Sequence, residues 1–112
     1  MDAERFRHIG LFRWSILDSL ADDWESPEQI KKYFHDFTET RPTNDILAGE
    51  LQYLFEHHYI FLTLNTLFDR EEIMRELQEE TTSRRFWFGR TDIGYMAWEA
   101  LSERYSPTKK ES

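Results

Sequence analysis

The chain has no cysteine, which excludes disulfides, thiolate metal sites and a cysteine nucleophile. It has only four glycines, and none is set in a phosphate-cradling loop. No apolar run approaches the ~18 residues that a membrane span needs, and Met1-Asp2-Ala3-Glu4-Arg5 carries no apolar secretory stretch. These gaps predict a cytoplasmic chain without a membrane segment. Basic residues are also scarce, with 14 Lys and Arg against 22 Asp and Glu for a net charge of −8. A chain this acidic repels polyanions at long range, which disfavours strong non-specific nucleic-acid binding.

What is present is a core. Of 112 residues, 39% are hydrophobic and 16% aromatic, enough to fill one domain and to exclude a disordered chain. The expected organisation is a single domain over residues 1–105 and a polar tail over 106–112. Charge is uneven. Residues 1–40 carry −4, residues 41–83 carry −6 and residues 84–112 carry +2, so any anion-binding surface should lie late in the chain.

Apolar spacing predicts a helix over 6–22, with Phe6, Ile9, Phe12, Ile16, Leu17 and Leu20 on one stripe and Leu11 and Trp14 off it. Ser26-Pro27-Glu28-Gln29 is a capping box with proline at the first helical position. It opens a helix to about Phe37 with Ile30, Tyr33, Phe34 and Phe37 inward. A third helix is expected from Thr43 to His57, with Leu47, Leu51, Leu54, Phe55 and His58 on its inner face. Tyr59–Leu64 and Arg85–Phe88 read as strands because they are β-branched and aromatic. Between them Asp69-Arg70-Glu71-Glu72 starts a short helix through Glu80. Thr91 caps a last helix from Asp92 to Tyr105. The fold class is therefore α+β and mostly helical.

Three helices, a hairpin and a final helix follow the winged helix-turn-helix order. Phe86-Trp87-Phe88-Gly89-Arg90-Thr91-Asp92-Ile93-Gly94 resembles the aromatic strand, Thr-x-x-Gly turn and last helix of small PadR-like and MarR-like bacterial or archaeal regulators. Asp23–Ile30 is similar to the lead into their second helix. The chain departs from them in having some twenty residues between the two strands. The resemblance implies a winged-helix DNA-binding transcriptional regulator, with Asn44–His57 in the major groove. The residues placed to contact double-stranded DNA are Arg41, Asn44, Gln52, Arg84, Arg85 and Arg90. Yet the outer face of that helix, Asp45, Gly49, Gln52, Tyr53 and Glu56, holds no Lys or Arg. The arginines also have an ordinary reading, in which they pair with the acidic insert around Glu71, Glu72, Glu76, Glu79 and Glu80. The alternative function is an acidic winged-helix adaptor that binds protein without DNA.

The resemblance further implies a homodimer through the terminal helices. Leu11, Trp14, Tyr95, Trp98 and Tyr105 are the residues for that interface, although the same aromatics also suit packing within one chain. Neither enzyme activity nor a cofactor is expected. Glu56-His57-His58 places adjacent histidines about 100° apart on a helix, too divergent to chelate together. Ser15, Ser19 and Ser26 lack a nucleophile elbow. The Glu71-Glu72 and Glu79-Glu80 pairs lack a positioned partner acid.

Overall fold

The computed structural model describes residues 2–63, 66–79 and 85–105. It is α+β and mostly helical. The order is α1 (Asp2–Arg5), α2 (Gly10–Ser19), α3 (Pro27–Phe37), α4 (Asn44–Glu56), β1 (Ile60–Leu62), α5 (Arg70–Glu79), β2 (Phe88–Arg90) and α6 (Asp92–Tyr105). Helices α2, α3, α4 and α6 enclose a core that includes Ile16, Leu17, Ile30, Phe34, Leu51 and Leu101, all buried.

The helix predicted over 6–22 is shorter than expected. Gly10 has a φ of +73°, a left-handed setting that a continuous right-handed helix does not hold, so Phe6 to Ile9 form a turn before α2. Phe6 and Ile9 remain buried. The capping box at α3 forms as read. The Gln29 amide donates to Ser26 Oγ at 3.3 Å, and the Ser26 amide donates to Gln29 Oε1 at 2.9 Å. At α5, the Glu72 amide donates to Asp69 Oδ1 at 3.1 Å, while the Glu72 carboxylate is taken by Arg85.

Two inward assignments fail at helix ends. Phe37, the last residue of α3, is 75% exposed because the core face of that helix is set by Ile30 and Phe34. His58 is exposed because it lies just beyond α4 with φ +65°. It is the left-handed residue of a Schellman turn. The Tyr59 amide donates to Leu54 O at 2.9 Å and the His58 amide to Phe55 O at 3.1 Å.

Strands β1 and β2 pair antiparallel, with Ile60 opposite Arg90, Phe61 opposite Gly89 and Leu62 opposite Phe88. The second strand starts later than the predicted Arg85. Arg85 is exposed on Glu72 and Phe86 is buried; the Trp87 carbonyl accepts from the Thr63 amide at 2.9 Å, and the paired strand runs from Phe88 to Arg90. Phe88 also meets Glu25, an isolated bridge that the sequence reading missed. The Glu25 amide donates to Phe88 O at 3.0 Å and the Phe88 amide to Glu25 O at 2.9 Å.

The first turn of α6 lies directly on the sheet. A Cβ at Gly94 would stand 2.0 Å from the Tyr59 carbonyl oxygen, so only glycine fits. Thr91 Oγ1 accepts from the Gly94 amide at 3.0 Å and donates to His58 O. The Thr91 amide donates to Tyr59 O at 3.1 Å. Gly94→Ala should therefore lower stability by about 3 kcal/mol in urea unfolding, because the obstruction is backbone and cannot rotate aside. His58→Gly should raise stability by about 1 kcal/mol by relieving the left-handed φ.

Candidate interaction surface

The outer face of α4 is occupied from within the chain. Helix α5 lies against α3 and α4, with Ile73 and Leu77 fully buried. Its first residue, Arg70, reaches across that face. Arg70 Nη2 is 2.9 Å from Asp45 Oδ1 and donates to Asp45 O at 3.3 Å, while Nη1 donates to Gln52 Oε1 at 3.3 Å. The same guanidinium covers Gly49, whose Cβ position would be 3.6 Å from Nη2. Gln52 spends its amide on Glu56 Oε2 at 3.2 Å. From the other side Arg13 lies over the Tyr53 ring at 3.6 Å and bonds Glu50 Oε2 at 2.6 Å. His57 stacks on Tyr53, with centroids 4.0 Å apart.

The arginines assigned to phosphate are likewise engaged. Arg41 Nη1 donates to Phe34 O at 3.1 Å, Thr38 O at 2.7 Å and Thr40 O at 3.1 Å. It thereby neutralises the negative C-terminal end of α3. Arg85 is paired with Glu72. Arg84 lies outside the described residues. Arg90 donates to Ala21 O at 3.1 Å and sits 4.6 Å over Trp98 and 5.3 Å over Tyr95. Burial pushes its guanidinium below the ordinary arginine range, with Asp18, Tyr95 and Asp22 opposing the shift. Its Nη1 is buried with no hydrogen-bond partner among the described residues. Asn44 is half-buried at the start of α4, where Thr43 Oγ1 accepts from the Ile46 amide at 3.2 Å.

The aromatic stripe assigned to a dimer packs largely inside one chain. Trp14 is buried and donates to Trp98 O at 3.1 Å, with Tyr105 beside it at 5.9 Å between centroids. Trp98 is half-buried and donates to Asp18 Oδ1 at 2.8 Å. Leu11 and Tyr95 are the members of that set that stay exposed. The Tyr95 hydroxyl donates to Glu99 at 3.1 Å.

Sequence reasoning missed a groove. Ser19, Glu25, Gln29, Lys32, Tyr33, Asp36 and Phe37 line an open concavity of about 300 Å³ beside α3. Placing Tyr33 and Phe37 in the core hid it. The available signal was that α3 ends at Phe37, where a terminal side chain has no following turn to bury it. Lys32 Nζ lies 3.3 Å from Asp36 Oδ2. The His35 ring and the Lys32 ammonium hold the Asp36 carboxyl below the usual carboxylate range. The Tyr33 hydroxyl donates to Asp18, and burial, followed by that carboxylate, pushes the phenol well above its ordinary value of 10.0. Tyr59 is also raised, mainly by burial. Among the described residues no three acidic, histidine or cysteine side chains gather to hold a metal ion. No described helix is long and apolar enough to cross a membrane.

The two raised phenols fix an alkaline limit. In the unfolded chain they lose protons near pH 10, whereas the folded chain still holds them. Stability is thus complete below that pH and falls as pH rises above it. Urea midpoints measured between pH 8 and pH 11 should drop in the native chain and drop less steeply in Tyr33→Phe. That variant should start about 1 kcal/mol lower at neutral pH, having lost its bond to Asp18.

No family model, curated protein or solved structure matches this chain.

Proposed function

We propose that this chain is a winged-helix adaptor that binds another protein rather than DNA. The element order supports the fold part of this reading. Helices α2, α3 and α4 are followed by paired β1 and β2, by Glu25 bridging to β2 just before α3, and by α6. In chain order α5 takes the place of a tight wing tip between β1 and β2.

The observation that carries the functional part is Arg70 lying across Asp45, Gly49 and Gln52. A helix that reads bases must offer free donors on its outer face. Here that face is acidic, and the described cations on it are already paired, Arg70 from α5 with Asp45 and Arg13 from α2 with Glu50. Arg41 is bonded to three carbonyls, Arg85 to Glu72 and Arg90 to Ala21. Each of them already spends part of its guanidinium inside the chain, which restricts where the rest of it can reach. An adaptor needs none of that. It needs an exposed surface with apolar anchors and a charge that selects its partner, and Phe37, Trp24 and Leu11 are large apolar side chains left exposed.

The competing reading is a transcriptional regulator gripping duplex DNA through Arg41, Asn44, Gln52, Arg84, Arg85 and Arg90. Fluorescence anisotropy of mixed-sequence duplexes separates the two. At about 20 mM salt, where phosphate attraction is strongest, the chain should leave the anisotropy unchanged up to tens of micromolar protein. Saturable binding that weakens with added salt would contradict the adaptor reading.

A further inference from the structure

We propose that the groove beside α3 docks a lysine- or arginine-rich segment of another protein, which inserts one apolar side chain against Phe37 and Tyr33. This rests on the adaptor reading and names the partner of its surface. Phe37 is 75% exposed and its ring centroid is 5.4 Å from that of Tyr33, so two aromatic rings border one concavity. A volume of about 300 Å³ has room for a side chain or two and is open to solvent.

The uncharged polar groups in its lining make bonds inside the chain. The Tyr33 hydroxyl is on Asp18, Gln29 Oε1 holds the Ser26 amide, and Ser19 Oγ donates to Ile16 O at 2.6 Å. A small polar metabolite would find few free donors or acceptors to orient it. What the groove offers instead is ring surface and charge. Glu25 and Asp36 outnumber Lys32 in the lining. From residue 18 to residue 39 seven acidic residues face two basic ones. The Lys32–Asp36 pair is solvent-exposed, so an incoming cation can displace Lys32 at little cost. A second copy of this chain, itself at −8, would bring a matching negative field rather than a complementary one. The fit is to a basic segment with a buried apolar anchor, a form of recognition that combines long-range attraction with local desolvation.

The test is titration of the ¹⁵N-labelled full chain at 0.15 M salt, followed by amide shifts. Three synthetic peptides of about twelve residues serve as probes: lysines spaced by glycine and serine around one central phenylalanine, the same peptide with serine for phenylalanine, and the same with glutamate for every lysine. The first should give saturable shifts confined to the neighbourhood of Ser19, Glu25 and residues 29–37. Phe37→Ser and Asp36→Lys change exposed side chains and should fold normally. Each should weaken binding by about tenfold or more. The other two peptides should not saturate. The proposal is overturned by no saturable shift up to about 2 mM peptide, by shifts spread over acidic residues elsewhere, or by equal response without the phenyl ring. It is equally overturned if the groove amides move with protein concentration alone, which would mean that a second copy fills it. Saturable binding of the basic peptide at another face would overturn the groove and leave the adaptor reading standing. Duplex binding in the anisotropy experiment would sink the adaptor reading itself.

Discussion

Thr91 is the point at which four parts of the chain are tied together. Its amide bonds the Tyr59 carbonyl at 3.1 Å, and its hydroxyl donates to His58 O while accepting from the Gly94 amide. One residue thus joins the C-terminal end of α4, the start of β1, the end of β2 and the first turn of α6. Gly94 completes the joint by letting the α6 backbone close onto Tyr59, where a single methyl group would meet an oxygen at 2.0 Å. The three-residue strands are too short to stand alone. They persist because this joint and the Glu25 bridge hold them against packed helices.

From that joint the disposition of charge follows. With α6 anchored on the sheet, Arg90 at the end of β2 is carried under Trp98 and Tyr95 and toward Asp18. Trp98 in turn bonds Asp18, and Asp18 accepts from Tyr33. A polar chain therefore runs through α2, α3, β2 and α6 behind the groove and fixes one of its two rings. Helix α5, packed on α3 and α4, brings Arg70 onto Asp45 of α4. The cations available in the described chain are largely consumed in holding its own parts together, which leaves an outward field that is acidic.

Much of this was legible in the sequence because it is local. Ser26, Pro27 and Gln29 write a helix start in four residues, and Thr91 with Gly94 writes another. Helices α3, α4, α5 and α6 accordingly lie within a residue or so of their expected bounds. Apolar spacing continues through Gly10 and so predicts too long a first helix; the positive φ that Gly10 adopts is what breaks it. Strand propensity at Phe86 and Trp87 points to a strand two or three residues too early, because propensity does not encode the register that pairs Phe88–Arg90 with Ile60–Leu62. The surface was the least legible part. Whether Arg70 lies on Asp45, twenty-five residues away, or Trp14 on Trp98, depends on how α5 and α6 dock, and no local pattern encodes that.

Native-state amide hydrogen exchange tests the central joint most directly. If the sheet, α4 and α6 are locked together as described, the amides of Tyr59, Phe88 and Thr91 exchange only with global unfolding. Their opening free energies then equal those of Leu51 and Leu54 in the core of α4. Exchange of Phe88 and Thr91 through a separate, low-energy opening, while the α4 amides stay protected, would contradict the account.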